Sequence, residues 1–419
     1  MRRRATKSSR PRVVVTGQGA VTPLGGTLEE SWSNLRQGRS GIRPVNRFDT
    51  SGLRTRIAGQ LERFEPREYM DPHLAERVDR FIQLGVAAAV MAVADARLPI
   101  HDRSADRIAV IMGNCLAGIV QVEEGIRSVG PEDRPGVSPY FVPGVIGSMA
   151  AGIAAMTLGV RGPNVTVNLA CASGAAAIGL GLRMLRAGEA DAVIAGGCEA
   201  GLAPVMFRGY HALKATSARN DDPEGACRPF DLDRDGFVPA EGAGVMVLEP
   251  LETATRRGAG PIAEVTGYGT TCDAYHVTRP DPTATSCARC MRQALDDAGL
   301  EPGDIDCVNA HGTGTRLNDV AEARAIREVL GGAAGRIPVT ANKSMIGHAI
   351  GAAGAIEAIF SVLSLRDGVI PPTRNHERPD PACSLPDVPA RERPAPLGAV
   401  LSNSFGFGGV NASLVFRRL

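Results

Sequence analysis

The stretch Asn164-Val-Thr-Val-Asn168, followed by Leu-Ala-Cys171-Ala-Ser-Gly174 and a run of small residues, is repeated in altered form later in the chain. There Pro338-Val-Thr-Ala-Asn342 leads into Lys343 and His348, then into another small-residue segment. Each β-branched run suits a short strand, and the glycines after it let backbone approach a neighbour or a substrate closely. Two further echoes keep the same order. Val15-Thr16-Gly17-Gln18-Gly19 returns as Val265-Thr266-Gly267-Tyr268-Gly269, and Gly244-Val-Met-Val-Leu returns as Gly409-Val-Asn-Ala-Ser-Leu-Val. Three ordered echoes point to an internal duplication. With a seam near Pro250–Pro261, the halves run over residues 13–258 and 259–419, behind an Arg- and Ser-rich disordered tail, residues 1–12.

Outward from the echoes, β-branched runs alternate with Ala-rich segments, the pattern of a layered α/β fold. Strands are expected at Val13–Thr16, Ile108–Met112, Val165–Asn168, Ala192–Ala195, Ala263–Thr266, Asp306–Ala310, Val339–Asn342 and Val400–Asn403. Helices are expected at Arg80–Ala96, Ser173–Ala187, Thr285–Ala298, Asp319–Leu330 and Gly351–Leu365. Residues 135–160 carry no charge, but Pro135, Pro139 and Pro143 argue against a membrane span and for a buried small-residue helix.

The chain has 419 residues, 44% apolar and 22% charged, with a formal charge of +1. That balance gives no electrostatic case for nucleic acid or an anionic membrane as partner, though a local basic patch could dock an acidic protein. Only Lys7, Lys214 and Lys343 are lysines among 46 basic residues. Lys343, beside a histidine loop, is either a lysine with a task arginine cannot perform or one retained by chance. Nine cysteines without a disulfide framework, and no secretory signal, indicate a reducing cytoplasm.

The chemistry-bearing residues lie on glycine-rich loops. Cys171 is placed where a helix start would stabilise a thiolate and lower the thiol pKa. His311 opens His-Gly-Thr-Gly-Thr, and His348 closes Lys343-Ser-Met-Ile-Gly-His. A thiol nucleophile served by two imidazoles suits acyl transfer or carbon–carbon bond formation. Other signals are weaker. Gly17-Gln-Gly19 lacks the third glycine of a dinucleotide fingerprint. Asp231-Leu-Asp233-Arg-Asp235-Gly236 lacks the acidic twelfth residue of a calcium loop and reads as a salt-bridged turn. Cys287-Ala-Arg-Cys290 has metal or redox spacing without a second pair, and reads as a helix start. His73, His101, His211 and His276 lack the glycine-loop context. No metal site is expected.

Taken together, Ala170-Cys171-Ala-Ser-Gly174, Ala310-His311-Gly-Thr-Gly-Thr315, Lys343-Ser-Met-Ile-Gly-His348 and Asn403-Ser-Phe-Gly-Phe407-Gly-Gly resemble the signatures of β-ketoacyl-[acyl carrier protein] synthases. Arg228-Pro-Phe-Asp231 with Arg234-Asp-Gly-Phe237 matches as well. The likeness spans Arg12 to Arg417 and is nearest to the elongating type II enzymes and their polyketide relatives. It implies a thiolase-like duplicated α/β fold in five layers, usually a homodimer.

The resemblance also implies roles. Cys171 takes an acyl group from acyl carrier protein, and His311 and His348 stabilise the enolate formed as malonyl carrier protein loses its carboxylate. The product is a β-ketoacyl chain two carbons longer, made in fatty acid biosynthesis without metal or organic cofactor, the substrates riding on phosphopantetheine. Backbone N–H groups of Cys171 and Phe407 form the oxyanion hole. Lys343 supports the histidine loop through Glu357, Thr313 and Thr315 line the pantetheine tunnel, and Phe407 gates the acyl pocket. Leu116 sets chain length there or is a plain core leucine. Arg77, Arg80, Arg134 and Lys214 either dock the acidic carrier protein or are solvated surface charge.

A degradative thiolase would carry a second cysteine where Asn403-Ser-Phe-Gly-Phe stands, and an initiating synthase an asparagine in place of His348. A non-catalytic chain-length subunit would lack Cys171. The alternative function is the ketosynthase of a type II polyketide system, heterodimeric with a chain-length-factor partner. Thr315-Arg-Leu-Asn-Asp319 and the arginine bias fit it.

Overall fold

The β-branched runs become ten strands of one mixed sheet in the computed structural model, which describes residues 10–128 and 137–419. In chain order they are β1 (Val13–Val21), β2 (Ile108–Gly113), β3 (Asn164–Val167), β4 (Ala192–Glu199), β5 (Gly242–Pro250), β6 (Ala263–Cys272), β7 (Cys307–Asn309), β8 (Val339–Thr340), β9 (Ala399–Gly406) and β10 (Val410–Arg417). Their spatial order is β8-β7-β9-β10-β6-β1-β5-β4-β2-β3. From the middle outward, β6 is followed by β10, β9, β7 and β8, while β1 is followed by β5, β4, β2 and β3. Each strand of the first half thus has a counterpart five strands later. The three echoes fall on the counterpart pairs β1/β6, β3/β8 and β5/β10. The half-sheets are joined where Val14 pairs with Glu264 and Val15 with Ala263.

Seven helices build the layers: α1 (Arg80–Ala96), α2 (Met149–Leu158), α3 (Ser173–Arg186), α4 (Pro204–Leu213), α5 (Thr285–Ala298), α6 (Arg316–Leu330) and α7 (Ala353–Asp367). Helices α3 and α7 lie between the half-sheets. Along α3, a Cβ at Gly179 would collide with the Tyr268 ring of β6, while one at Gly181 would lie 3.1 Å from Val193 of β4. Along α7, a Cβ at Gly354 would lie 2.5 Å from Ser404 of β9, and one at Gly244 of β5 would meet the Ile356 nitrogen at 3.0 Å. Every residue of α7 from Ala353 to Leu365 is buried, as a helix covered on all sides must be.

The outer layers follow from the repeated Val-Thr-Gly-x-Gly. Gly17 and Gly19 leave no room for a Cβ against the Ala92 and Ala88 carbonyls of α1. Gly267 and Gly269 do the same against Ala294 and Cys290 of α5. These glycines let a helix backbone lie directly on a strand, giving helix, half-sheet, helices, half-sheet, helix.

Two expectations are corrected. Residues 141–158 form two short helices, Phe141–Val145 and α2, rather than one buried helix, with Met156 71% exposed. Only one face of α2, Ala150, Ala151, Ile153 and Ala154, meets the core. Arg12 is no part of a free tail, because its guanidinium holds Glu264 at 2.7 Å and its carbonyl accepts from the Leu251 N–H. A helix at Leu28–Arg36 was not anticipated, although Thr27 caps it by accepting from the Glu30 N–H, a legible start signal.

Close approach at the outer layers gives a stability test. Gly269→Ala forces backbone apart and should cost about 1–3 kcal/mol, read as a lower urea midpoint. Gly260→Ala, with open space around its Cβ, should stay within about 0.5 kcal/mol of the parent.

Candidate active site

The nucleophile turn sits between β3 and α3. Ala170 adopts a positive φ of 47°, and Ser173 ties the turn together, its hydroxyl donating to the Ala170 carbonyl at 2.6 Å and accepting from the Leu169 N–H at 2.9 Å. Cys171 therefore stands just before the first turn of α3. The end of β9 can approach because residue 406 is glycine, where a Cβ would lie 3.0 Å from the Cys171 nitrogen. The backbone N–H groups of Cys171 and Phe407 are thereby brought close to the Cys171 sulfur, where both favour negative charge. Two such donors beside a nucleophile are what an oxyanion hole requires.

His311 follows β7, and its loop is held from below by α6. Glu322 accepts from the N–H groups of His311 and Gly312, each at 2.7 Å, and Asp319 accepts from Phe230 and Gly314 at 2.9 and 3.2 Å. Neither carboxylate was singled out from the sequence. Their spacing of three residues on a helix directly after the His-Gly-Thr-Gly-Thr loop was the available signal. The Arg228–Phe237 motif serves the same loop, with Arg234 3.6 Å from Asp319. Its Asp231 forms a salt-bridged turn with Arg228 at 3.0 Å.

Lys343 and Glu357 are fully buried and ion-paired behind His311. The Lys343 ammonium also lies 3.3 Å from His311 Nδ1. An ammonium can only donate, so Nδ1 accepts and the ring proton resides on Nε2. His348 approaches from the opposite side, its Nε2 3.2 Å from Cys171 Sγ. It is placed by its own N–H, which donates to Val238 at 2.7 Å, and by edge-on contact with Phe237 at 5.4 Å. The two imidazoles meet edge to face at 5.3 Å.

Burial governs the charges. It holds His311 and His348 well below the ordinary imidazole range, with the Lys343 charge adding to the effect. It also pushes the Cys171 thiol up to about 11, against the opposing pull of Lys343 and of the Phe407 N–H. This departs from the expected lowering, since desolvation outweighs the Lys343 charge and the neighbouring N–H groups. The resting pair is a thiol hydrogen-bonded to a neutral imidazole. Cys171, His311 and His348 bring donor atoms within 4.8 Å of one another. A dication among them would face the Lys343 ammonium, so the arrangement suits a developing oxyanion better.

These groups floor a cavity of about 940 Å³. Thr313 and Thr315 line its wall, their hydroxyls 2.9 Å apart, and Leu116 lines it on the side of α4. Phe407 stands at the rim, 41% exposed. Lys214 is at the mouth with Arg54, Arg279 and Arg316, three cations the sequence did not mark. The other docking candidates lie elsewhere. Arg77 stacks on the Tyr140 ring at 4.8 Å, outside the cavity. Arg80 is not free to dock, because with Arg47 it clamps the buried Glu241 carboxylate at 2.7 Å. Arg134 lies outside the described residues. Cys287 and Cys290 share one buried face of α5, three residues apart and both free thiols.

The model for the β-ketoacyl synthase N-terminal domain matches residues 10–254, and that for the C-terminal domain matches residues 262–377. The chain is 44% identical to 3-oxoacyl-[acyl-carrier-protein] synthase 2 of Synechocystis sp., over 97% of this chain and 98% of that protein. Among solved structures it is similar to the ishigamide ketosynthase/chain length factor, with a TM-score of 0.90 and 39% identity, covering 98% of this chain and all of that one. It is equally similar in fold, with a TM-score of 0.90 at 34% identity and the same coverage, to AntDE:AntF, a type II polyketide synthase carrier protein in complex with its ketosynthase bound to the hexaketide. Matches that span both halves at this identity, on the same duplicated thiolase-like architecture, mean that the chain belongs to the β-ketoacyl synthase family.

Proposed function

We propose that this chain is a 3-oxoacyl-[acyl-carrier-protein] synthase that extends an acyl chain by two carbons in fatty acid biosynthesis. The observation that carries the reading is His348 Nε2 at 3.2 Å from Cys171 Sγ, opposite a His311 whose proton is directed inward by Lys343. As the thiol attacks an acyl thioester, its proton passes to the neutral imidazole. The carbonyl oxygen is held by the N–H groups of Cys171 and Phe407, and the pantetheine thiol departs with a proton.

Malonyl thioester then takes its place. Its C–CO₂ bond breaks with loss of carbon dioxide, and the electron pair moves into an enolate whose oxygen meets the Nε2–H of His311 and of His348, whose Nε2 no longer accepts from the acylated sulfur and takes the ring proton. Neutral imidazoles donate without first releasing a proton to the medium. The enolate carbon attacks the acyl-Cys171 carbonyl, the same two N–H groups hold the second oxyanion, and the C–S bond breaks to release the Cys171 thiolate, which recovers its proton from solvent through His348. No step needs a metal or organic cofactor.

Acyl carrier protein is the proposed partner. Arg54, Lys214, Arg279 and Arg316 around the mouth supply the positive rim an acidic carrier needs, and the AntDE:AntF pairing supports it. A dimer is supported by β3, an end strand with an unpaired edge, near exposed Met156 and Val142. The proposed compartment is the cytoplasm, supported by nine free thiols. Among the described residues no helix is long and apolar enough to cross a membrane. The second reading, a type II polyketide ketosynthase working with a chain-length-factor subunit, is favoured by the two solved ketosynthases at a TM-score of 0.90.

Intact mass of carrier protein after mixing with acyl- and malonyl-carrier protein should show a two-carbon-extended β-keto product, absent with Cys171→Ala. Acylation of Cys171 without extension would shift the reading to the subunit-dependent system, and no acylation would refute the nucleophile. In His311→Ala, Cys171 should still acylate while malonyl decarboxylation falls about 10²–10³-fold, measured as carbon dioxide release. Burial holds both imidazoles well below 6.5 but raises Glu322, which holds the His311 loop, and Glu357, the partner of Lys343, to about 7. Decarboxylation should therefore fall as pH drops through about 7, and a rate that stays level there would contradict the support these two carboxylates give His311.

A further inference from the structure

The end of β4 supports the wall of the chamber above Cys171 in two ways. Glu199, its last residue, is fully buried and accepts from the N–H groups of Cys115 at 2.9 Å, Leu116 at 3.3 Å and Gly351 at 3.1 Å. The residues that follow are held as well. Ala117 adopts a positive φ of 48°, and a Cβ at Gly118 would lie 2.3 Å from the Gly144 carbonyl oxygen. The backbone that carries Leu116 is therefore fixed on both sides, while its side chain is not. Leu116 lines the chamber with Cys115, Met206, Tyr210 and Ile350. Its Cδ1 lies 2.3 Å from where a Cβ of Gly201, two residues beyond Glu199, would stand. The next nearest atoms, at 3.6 and 3.7 Å, belong to the same leucine.

Gly201 is buried and its φ is not positive, so an alanine could adopt its backbone conformation. The added methyl would meet the free end of a flexible side chain. At Gly269 it would instead meet the Cys290 carbonyl. Its effect at Gly201 therefore falls on the chamber more than on the fold. With the main chain of residues 115–118 pinned, the Leu116 branch yields by rotating to another staggered position, and the open volume it borders is the chamber. We propose that Gly201 is a positioning residue that sets the length of acyl chain accepted, by giving the Leu116 branch a recess outside the path of the chain. Each further methylene on Cys171 gains from burial while there is room for it, and a branch swung inward removes that room. This rests on the reading of Cys171 as the acyl-carrying thiol, and it deepens that reading by naming what bounds the chain.

The test offers saturated acyl-carrier proteins from butanoyl to hexadecanoyl singly and reads the rate at which each acyl mass appears on Cys171. In Gly201→Ala, the rate for the longest chain the parent accepts should fall about tenfold relative to butanoyl. In a Leu116→Ala background, the same substitution should leave the length profile where Leu116→Ala alone puts it, because no branch remains to be displaced. A loss equal at every length, an unchanged profile, or an equal shift in both backgrounds would overturn the role of Gly201 while leaving Cys171 in place. Failure of every chain to load the parent would instead overturn the acyl-thiol reading beneath it.

Discussion

A lysine ammonium and a glutamate carboxylate, both fully buried and in contact, set the terms for the rest of this molecule. Such a pair is costly to remove from water and persists only where its geometry is enforced from all sides. Here enforcement comes from the central layer. Glu357 lies on α7, which both half-sheets cover, and Lys343 opens the one-turn helix Lys343–Ile346 shortly before it. The packing that closes the five layers is therefore the packing that aims His311. Fold and site share one interior rather than a scaffold and an appended loop.

The same dryness explains the state of the nucleophile. A cysteine at a helix start is ordinarily a candidate thiolate. In this chamber desolvation is the larger effect, so the resting thiol stays protonated and the imidazoles stay neutral. The groups that counteract burial are Lys343 and the Phe407 N–H, which would favour negative charge during attack as well. Charge is thus withheld at rest and accommodated when it develops, which is the economical arrangement for oxyanion and enolate chemistry.

Much of this was legible in the chain because it is local. A strand followed by a glycine turn and a helix is written in consecutive residues, and the echoed glycines of β1 and β6 mark where backbone must touch backbone. Cys171, His311, His348, Lys343 and Glu357 could be named from motifs, and the structure brings them together. Glu322 and Asp319 were missed because a carboxylate accepting backbone N–H groups leaves no mark beyond its spacing on α6. Arg80 was misassigned because an arginine in sequence does not reveal whether a carboxylate 161 residues away will claim it.

By itself, then, the sequence determined the duplication, most of the strands and helices in their order, and the reacting residue types, since these follow from short-range patterns of size, branching and polarity. Tertiary structure alone decided the protonation states, the tautomer of His311 and which cations face the mouth. Each of those depends on how much water remains and which charge stands opposite, and both are set by residues far apart in the chain.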